Sequence, residues 1–300
     1  MRRPTLHVLL LVAALPLTAS AADEKKKDAP AEITWLTSFA EGQKAARKQK
    51  KILIVDFFAT WCGPCKIMDR QTFDNAGVIK AANESFVCTK VDVDRDRPTA
   101  GKYRIAGIPT ILFVGPEGEQ YARVQFQTAP QFLQTMQHVV DEQKKAAPLA
   151  KQLEAEPENA KAAFELAQLF ARWHKTDEAA KLLETVDRLD ANADPKTDQD
   201  LASRRHALPE VYAEIGEGYL ENEKPERAEA LLRKGLATAT RALDIGRLRA
   251  ALVNSFLARD DKPAAIKELE ALIATKDVPG PLKGSARRML QSMQPLGSNP

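Results

Sequence analysis

Residues 52–66 read ILIVDFFATWCGPCK, and this stretch decides the fold of the N-terminal part of the chain. Residues 52–58 are apolar except for one aspartate, which predicts a strand buried on both faces of a sheet. A helix is expected to begin at or just after Trp61. Cys62 and Cys65 then lie one helical turn apart, where the strand gives way to the helix. One thiol can attack a disulfide and the other can resolve the mixed intermediate.

Three other interpretations of this cysteine pair compete with dithiol exchange. A zinc site normally needs four ligands, and the chain has no second cysteine pair and only scattered histidines. A haem attachment motif needs His directly after the second cysteine, where this chain has Lys66. A structural disulfide stays possible, although closing so short a loop gains little chain entropy. We therefore predict a redox-active dithiol and expect neither a metal nor a cofactor.

Strand and helix patterns alternate through the first half of the chain. Helical spacing over residues 35–50 precedes the strand at 52–58. Further strands are predicted at 86–93, 107–114 and 121–126, with a turn at 115–119 and a closing helix at 129–145. This order predicts an α/β domain with a mixed central sheet flanked by helices.

The segment 55–66 resembles the active-site segment of thioredoxins. Two further stretches, KVDVD at 90–94 and GIPT at 107–110, match the next two motifs of that family at compatible spacing. The resemblance covers residues 33–145 and implies a thioredoxin-like domain with thiol–disulfide oxidoreductase activity. Several linked motifs make it more specific than the cysteine pair alone.

The resemblance implies a role for each residue of the CGPC motif. Cys62 is the nucleophile, and a position near a helix N-terminus stabilises its thiolate. Cys65 is the resolving thiol and is expected to be the more buried of the two. Gly63 and Pro64 pre-form the turn, since proline early in a helix loses no hydrogen bond. In this family the Gly-Pro pair accompanies reducing members more than strong oxidants.

Asp56 interrupts an otherwise apolar strand, where an unpartnered carboxylate is costly and tends to protonate. The resemblance makes Asp56 the proton acceptor for Cys65 during resolution, with Lys90 nearby. The alternative is a solvent-exposed aspartate at a strand end. Its position between two apolar residues favours the functional role.

The remaining candidate residues shape the site. Ile108 and Pro109 correspond to the family's cis-proline loop, whose backbone pairs with an extended client; an ordinary strand-edge proline is the alternative. Trp61 is expected to cover the site, with a core aromatic as the alternative. Cys88 lies on a predicted central strand and is interpreted as a buried, unreactive thiol rather than a third redox group.

The chain departs from the family pattern at two places, and the second bears on the electron donor. Phe58 stands where many thioredoxins carry Trp, and residues 69–78 lack the helix-kinking proline of cytosolic members. The latter segment is similar to exported thioredoxin-like domains, including those that receive electrons from transmembrane carriers. The expected donor is therefore a membrane or periplasmic protein.

The N-terminus has the pattern of a secretory signal. Basic Arg2 and Arg3 precede a mostly apolar run at 6–17 and small residues at 19–21, which predicts a signal peptide at 1–21 and a linker at 22–32. An uncleaved anchor is the alternative. Loss of the two arginines lowers the formal net charge from +3 by two, to +1, and no nucleic-acid partner is indicated.

Residues 146–300 are rich in Ala and Leu at helical spacing. Three stretches share an aromatic and a small residue in one helix and an Ala-then-Leu pattern in the next. This resembles tetratricopeptide repeats, with an inserted loop at 192–200, and a plain helical bundle is the alternative. The prediction is an all-α repeat domain that follows the thioredoxin-like one.

Together these features predict an exported oxidoreductase of reducing type, located in the bacterial periplasm. Its clients are disulfide-containing proteins, and the helical repeats offer a concave surface for a protein partner. The alternative is an adaptor whose repeats carry the function, with the thioredoxin-like half as a scaffold.

Overall fold

The computed structural model describes residues 32–194 and 196–293. The predicted signal peptide at 1–21 lies outside this part of the chain, as does the predicted linker except for Glu32. Within the described ranges, no helix is both long and apolar enough to cross a bilayer.

The N-terminal half combines five strands with helices. Its elements are β1 (Trp35–Leu36), α1 (Phe39–Gln49), β2 (Ile52–Phe58), α2 (Gly63–Met68), a π-helical turn (Asp69–Phe73), α3 (Ala76–Ser85), β3 (Phe86–Asp92), α4 (Arg97–Lys102), β4 (Thr110–Val114), β5 (Gln120–Val124) and α5 (Ala129–Ala155).

The C-terminal half is helical in its described part. Its elements are α6 (Ala160–Arg172), α7 (Thr176–Asn192), α8 (Leu201–Glu221), α9 (Pro225–Thr238), α10 (Ala242–Leu257), α11 (Lys262–Ala274) and α12 (Gly280–Met293).

The sheet is mixed, as the sequence predicts, with strand order β1-β3-β2-β4-β5. The first three strands in this order run parallel, whereas β4 is antiparallel to β2 and β5 is antiparallel to β4. Strand β2 is central, which explains its continuous apolar sequence. Its one carboxylate, Asp56, lies between Lys90 on β3 and Ile111 on β4.

Each face of the sheet has its own core. The first core lies on the face that α2, α3 and α5 cover and includes Ile54, Met68 and Phe132. The second core lies on the opposite face, beneath α1, and includes Phe39 and Leu53. Alternate residues of β2 and β4 supply the two cores, because successive side chains of a strand point to opposite faces.

Several element boundaries differ from the sequence prediction; β4, for example, begins at Thr110 and not at 107. Trp35 belongs to the short strand β1, and α1 begins only at Phe39, after the N-cap Ser38 accepts a hydrogen bond from the backbone N–H of Glu41. A serine cap satisfies an orphan donor of the first turn and so sets the start of the helix. Strand β5 ends at Val124, two residues before the predicted end, which leaves Phe126 in the loop that follows.

Helix α5 belongs to both halves of the molecule. The boundary predicted after Lys145 lies inside this helix, which continues unbroken to Ala155. The first core also takes in Leu166, Leu169 and Trp173 from the helical half. The ring of Trp173 packs on that of Tyr121 from β5 with centroids 4.3 Å apart. Apolar packing thus joins the helical half to the outer strand of the sheet.

The helices of the C-terminal half pack as successive neighbours, α6 with α7, α8 with α9 and α10 with α11. Helices α8 and α9 approach closely: a Cβ built on Gly216 would lie 2.5 Å from Leu232. In the first turn of α8, the buried Arg204 donates hydrogen bonds to Asp190 of α7 and to Asp198 of the connection between the two helices. This arginine ties the connection between the two helices to the helical core.

Candidate active site

A disulfide between Cys62 and Cys65 forms the centre of the site. Cys62 is the N-cap of α2, and its sulfur accepts a hydrogen bond from the backbone N–H of Cys65 at 3.1 Å. In this oxidised form Cys62 is 2% exposed and Cys65 is 5% exposed, so Cys65 is not the more buried, contrary to expectation. Val93 and Ile108 pack against the pair.

Pro64 lies in the first turn of α2, where a proline loses no helical hydrogen bond. Gly63 begins the helix, and a Cβ built there would meet nothing within 4 Å. Both residues are exposed, so the surface next to the disulfide carries no bulky side chain at these positions.

Asp56 is 2% exposed. One of its oxygens, Oδ2, lies 3.1 Å from the Lys90 ammonium, and the other, Oδ1, is buried without a hydrogen-bond partner. Burial raises the pKa of Asp56 to about 6, against the opposing effect of Lys90. The solvent-exposed alternative is therefore wrong. This carboxylate can take up a proton near neutral pH.

Asp69 is a second carboxylate on the same ammonium, which the sequence analysis missed. Its Oδ1 lies 2.5 Å from Nζ of Lys90. Burial acts to lower the pKa of Lys90, but Asp56 and Asp69 outweigh it and raise that pKa above its ordinary value. Asp69 follows Cys65 by one helical turn, and an acid at this spacing is the sequence signal that could have revealed it.

Aromatic rings surround the Lys90 ammonium. Its nitrogen lies 5.0 Å from the ring centroid of Trp35, 5.3 Å from that of Phe58 and 5.4 Å from that of Phe73. These distances fall within the range of cation–π attraction. The rings and the two carboxylates together hold the charged form of Lys90 beneath the site.

Trp61 precedes the disulfide and is 68% exposed, so it is not a core aromatic. Its indole Nε1 donates a hydrogen bond to Asp94 Oδ2 at 2.8 Å. Asp94 follows β3 and ends the KVDVD motif, and nothing in the sequence pattern indicates this contact. The bond fixes the direction of the exposed ring beside Cys62.

The peptide bond between Ile108 and Pro109 is cis, as the family resemblance implies. Pro109 is buried, and Ile108 packs against the cysteine pair. Thr110 donates a hydrogen bond to the carbonyl of Gly107 at 2.7 Å, which closes the loop on itself. The loop therefore lies directly beside the disulfide.

Cys88 is a free, buried thiol on β3. Burial raises its pKa to about 12, so its thiolate is scarce at neutral pH. Its surroundings fit the predicted role of a small apolar core residue.

The N-terminal half of the chain is similar to known proteins. Residues 35–138 match the thioredoxin family model. A protein disulfide-isomerase of Schizosaccharomyces pombe is 32% identical over 88 residues, which cover 29% of this chain and 24% of that protein. A thioredoxin of Echinococcus granulosus is 41% identical over 69 residues, covering 23% and 61%.

A third relative is the thiol:disulfide interchange protein DsbD of a Pseudomonas species, which is 30% identical over 105 residues, covering 34% of this chain and 18% of that protein. The chain thus spans less than two thirds of the length of each of these relatives. The N-terminal half is therefore a thioredoxin-like α/β domain with a mixed sheet, and it is followed by a mostly helical region.

Proposed function

We propose that this protein is an exported thiol–disulfide oxidoreductase that reduces disulfide bonds in client proteins. The observation that carries the proposal is the Cys62–Cys65 disulfide at the start of α2, beside the cis-Pro109 loop of a thioredoxin domain. A buried carboxylate with a pKa of about 6, that of Asp56, lies on the strand that leads into the motif. The groups proposed as nucleophile, resolving thiol and proton acceptor thus lie in one domain.

The proposed cycle begins with the reduced dithiol. The Cys62 thiolate attacks a client disulfide, which forms a Cys62–client bond and releases one client thiol. Asp56 accepts the proton of Cys65, and the Cys65 thiolate attacks the Cys62 sulfur and releases the second client thiol. The protein ends with the disulfide present in this structure, and a dithiol donor must reduce it again.

Export and the donor are parts of the same proposal. The N-terminal sequence pattern supports secretion, and the relationship to an interchange protein named DsbD supports a bacterial periplasmic setting with a membrane or periplasmic donor. Whether the protein reduces or oxidises its clients depends on the reduction potential of the Cys62–Cys65 couple. A potential near that of thioredoxin, about −270 mV, is expected, whereas one near −120 mV would assign an oxidant.

Trapping tests the exchange reaction directly. Because the resolving thiol is missing in Cys65→Ser, this variant should accumulate mixed disulfides through Cys62 with its clients. Cys62→Ser, which keeps Cys65, is the matched control and should capture none. If Cys65→Ser captures no partner under any redox condition, the proposed activity is wrong.

We further propose that the helical region is built of tetratricopeptide-like repeats that recruit a protein partner. The neighbouring pairs of helices and the glycine-dependent contact between α8 and α9 support repeats. The adaptor alternative is tested in the full-length chain with a Cys62→Ser, Cys65→Ser double variant. Full function of that variant in cells would favour the adaptor over the oxidoreductase.

A further inference from the structure

His174, in the turn between α6 and α7, contacts both halves of the molecule. Its ring nitrogen Nδ1 lies 2.9 Å from Oε2 of Glu221, the last residue of α8. Its other ring nitrogen, Nε2, lies 3.2 Å from the side-chain nitrogen of Gln120, the first residue of the outer strand β5. One imidazole thus joins the end of a helix of the C-terminal half to the edge of the sheet.

The partners of Gln120 fix the direction of these hydrogen bonds. Its amide oxygen accepts hydrogen bonds from Nε and Nη2 of Arg123, at 3.3 and 3.1 Å. A guanidinium only donates, so the amide oxygen faces Arg123 and the amide N–H donates to Nε2 of His174. The other nitrogen, Nδ1, then carries the hydrogen that His174 donates to the Glu221 carboxylate. This hydrogen bond lowers the pKa of Glu221 against the opposing effect of burial.

Arg123 extends the same chain of hydrogen bonds to the segment that contains the cis-Pro109 loop. Its Nη2 donates to the carbonyl of Tyr103 at 2.6 Å, and its Nη1 donates to the carbonyl of Arg104 at 3.3 Å. Its backbone is paired with Leu112 on β4. These contacts lie on either side of the cis-Pro109 loop, so one arginine holds both ends of the segment.

The segment that Arg123 holds reaches the disulfide. Tyr103 is buried in the second core, and Ile108 packs against that core. Ile108 also packs against the Cys62–Cys65 pair. Contacts are therefore continuous from the helical half, through the polar chain and the second core, to the active-site cysteines.

We propose that His174 is a positioning residue for the reduction of protein clients. Through Gln120 and Arg123 it fixes the backbone that leads into the cis-Pro109 loop, along which the client segment is expected to pair. The inference rests on the proposed function and adds a role for the helical half: one of its side chains sets how well the thioredoxin-like domain accepts an extended client.

Single-turnover reduction of two disulfides tests this role. The full chain is reduced with dithiothreitol, freed of it, and mixed at pH 7.5 with a disulfide-closed peptide that has extended flanking residues, or with 2-hydroxyethyl disulfide. Each turnover converts the protein dithiol to its disulfide and the substrate disulfide to two thiols. The small disulfide has no peptide backbone to pair with the loop, so the ratio of the two rate constants reports on the loop and not on the cysteines.

His174→Asn is the informative variant. Residue 174 has a φ of 54°, which Asn tolerates well, but the shorter side chain cannot span Gln120 and Glu221. The rate constant with the peptide should fall roughly three- to tenfold, the scale of one net hydrogen bond, and that with 2-hydroxyethyl disulfide should stay unchanged. His138→Gln is the matched control, because His138 contacts Glu142 on its own helix, and it should keep the wild-type ratio.

A double variant tests whether His174 acts through Arg123. Arg123→Ala should lower the peptide rate constant selectively, as His174→Asn does. Residues of one hydrogen-bond network are not additive, so the double variant should lose no more than Arg123→Ala alone. Fully additive losses would show that the two residues act separately and would overturn the proposal.

The remaining failures are distinguishable. A wild-type ratio in His174→Asn overturns the positioning role, and so does an equal loss with both disulfides, which indicates a general effect on the fold. A wild-type protein that reduces 2-hydroxyethyl disulfide but not the peptide also overturns the positioning role alone. A wild-type protein that reduces neither disulfide overturns the proposed function itself, and the positioning role with it.

Discussion

At the residue scale, the Asp56–Lys90–Asp69 cluster determines how the site responds to pH. Lys90 is shared by two carboxylates, and one of them is almost fully buried. Burial outweighs the attraction of Lys90 and leaves the pKa of Asp56 near 6, well above the ordinary 3.8. Both the chemistry and the stability of the protein should therefore change between these two pH values.

Asp56→Asn should slow the resolving step and remove its dependence on ionisation near pH 6, because the variant has no carboxylate to accept the Cys65 proton. The measurement is the rate at which a thiol leaves a preformed mixed disulfide at Cys62, followed from pH 5 to pH 8. The wild-type rate should rise through about pH 6. Equal profiles for both proteins would contradict the assigned role.

The same residue should make stability fall as pH rises. Between pH 3.8 and about 6 the folded protein binds more protons at Asp56 than the unfolded chain does, so the free energy of unfolding decreases across this window and then levels off. The two pKa values imply a decrease of roughly 3 kcal/mol. Asp56→Asn should lack this decrease, and denaturant unfolding of the oxidised proteins across the window measures it.

Asp69→Asn should move the Asp56 transition to lower pH, because the charge of Asp69 contributes to the raised pKa of Asp56 and its carboxylate shares Lys90. The pH profile of the resolving step measures the shift. Asp74→Asn, which removes an exposed acid just beyond the same π-helical turn, is the matched control. A shift of similar size in the control would contradict a specific role of Asp69.

At the element scale, small residues allow the helices of the C-terminal half to approach. Gly216→Ala should reduce the free energy of unfolding by about 1–3 kcal/mol, since its new Cβ would lie 2.5 Å from Leu232. Gly280→Ala is the control, because nothing lies within 4 Å of a Cβ at that exposed position. Its unfolding free energy should stay within about 0.5 kcal/mol of the wild type.

Sequence patterns predicted the helices and strands that are determined by residues close together in the chain. The apolar run at Ile52–Phe58, the helix that follows Trp61 and the mixed sheet all appear in the structure. The helical spacing over 35–50 includes the two residues of β1, because a strand so short leaves no alternation to detect. Asp69 was missed because its partner Lys90 is 21 residues away, and only the tertiary fold brings the two together.

At the scale of the whole molecule, Trp173 connects the helical half to the sheet. It is 2% exposed and belongs to the first core. Trp173→Ala should therefore cost about 3–5 kcal/mol of the free energy of unfolding. Leu243→Ala, which removes an exposed side chain, should cost little, and denaturant unfolding of both variants measures the difference.

Because α5 and the first core belong to both halves, the described protein should unfold in a single transition. Loss of helical circular dichroism and alkylation of the buried Cys88 should have the same denaturant midpoint. The first signal comes largely from the helical half, and the second reports the opening of the sheet. Two separate midpoints would show that the halves fold independently.

The sequence could not predict that the two halves share a helix and a core. The strand patterns end near residue 145, but the backbone of α5 continues as one helix past this point. Strand signals stop there, but helical spacing runs on from the closing helix into the next region. The contact between Tyr121 and Trp173 joins positions 52 residues apart. No local sequence feature at either position predicts it.

The shared helix also has a consequence for synthesis on the ribosome. Translation adds residues in order, and the thioredoxin motifs leave the exit tunnel well before Leu166, Leu169 and Trp173. Until these three residues have been synthesised, Tyr121 has no aromatic neighbour from the helical half. The outer strand β5 is then less well covered from water than in the complete fold. The nascent chain must therefore extend beyond the thioredoxin match, which ends at residue 138, before that strand is fully covered.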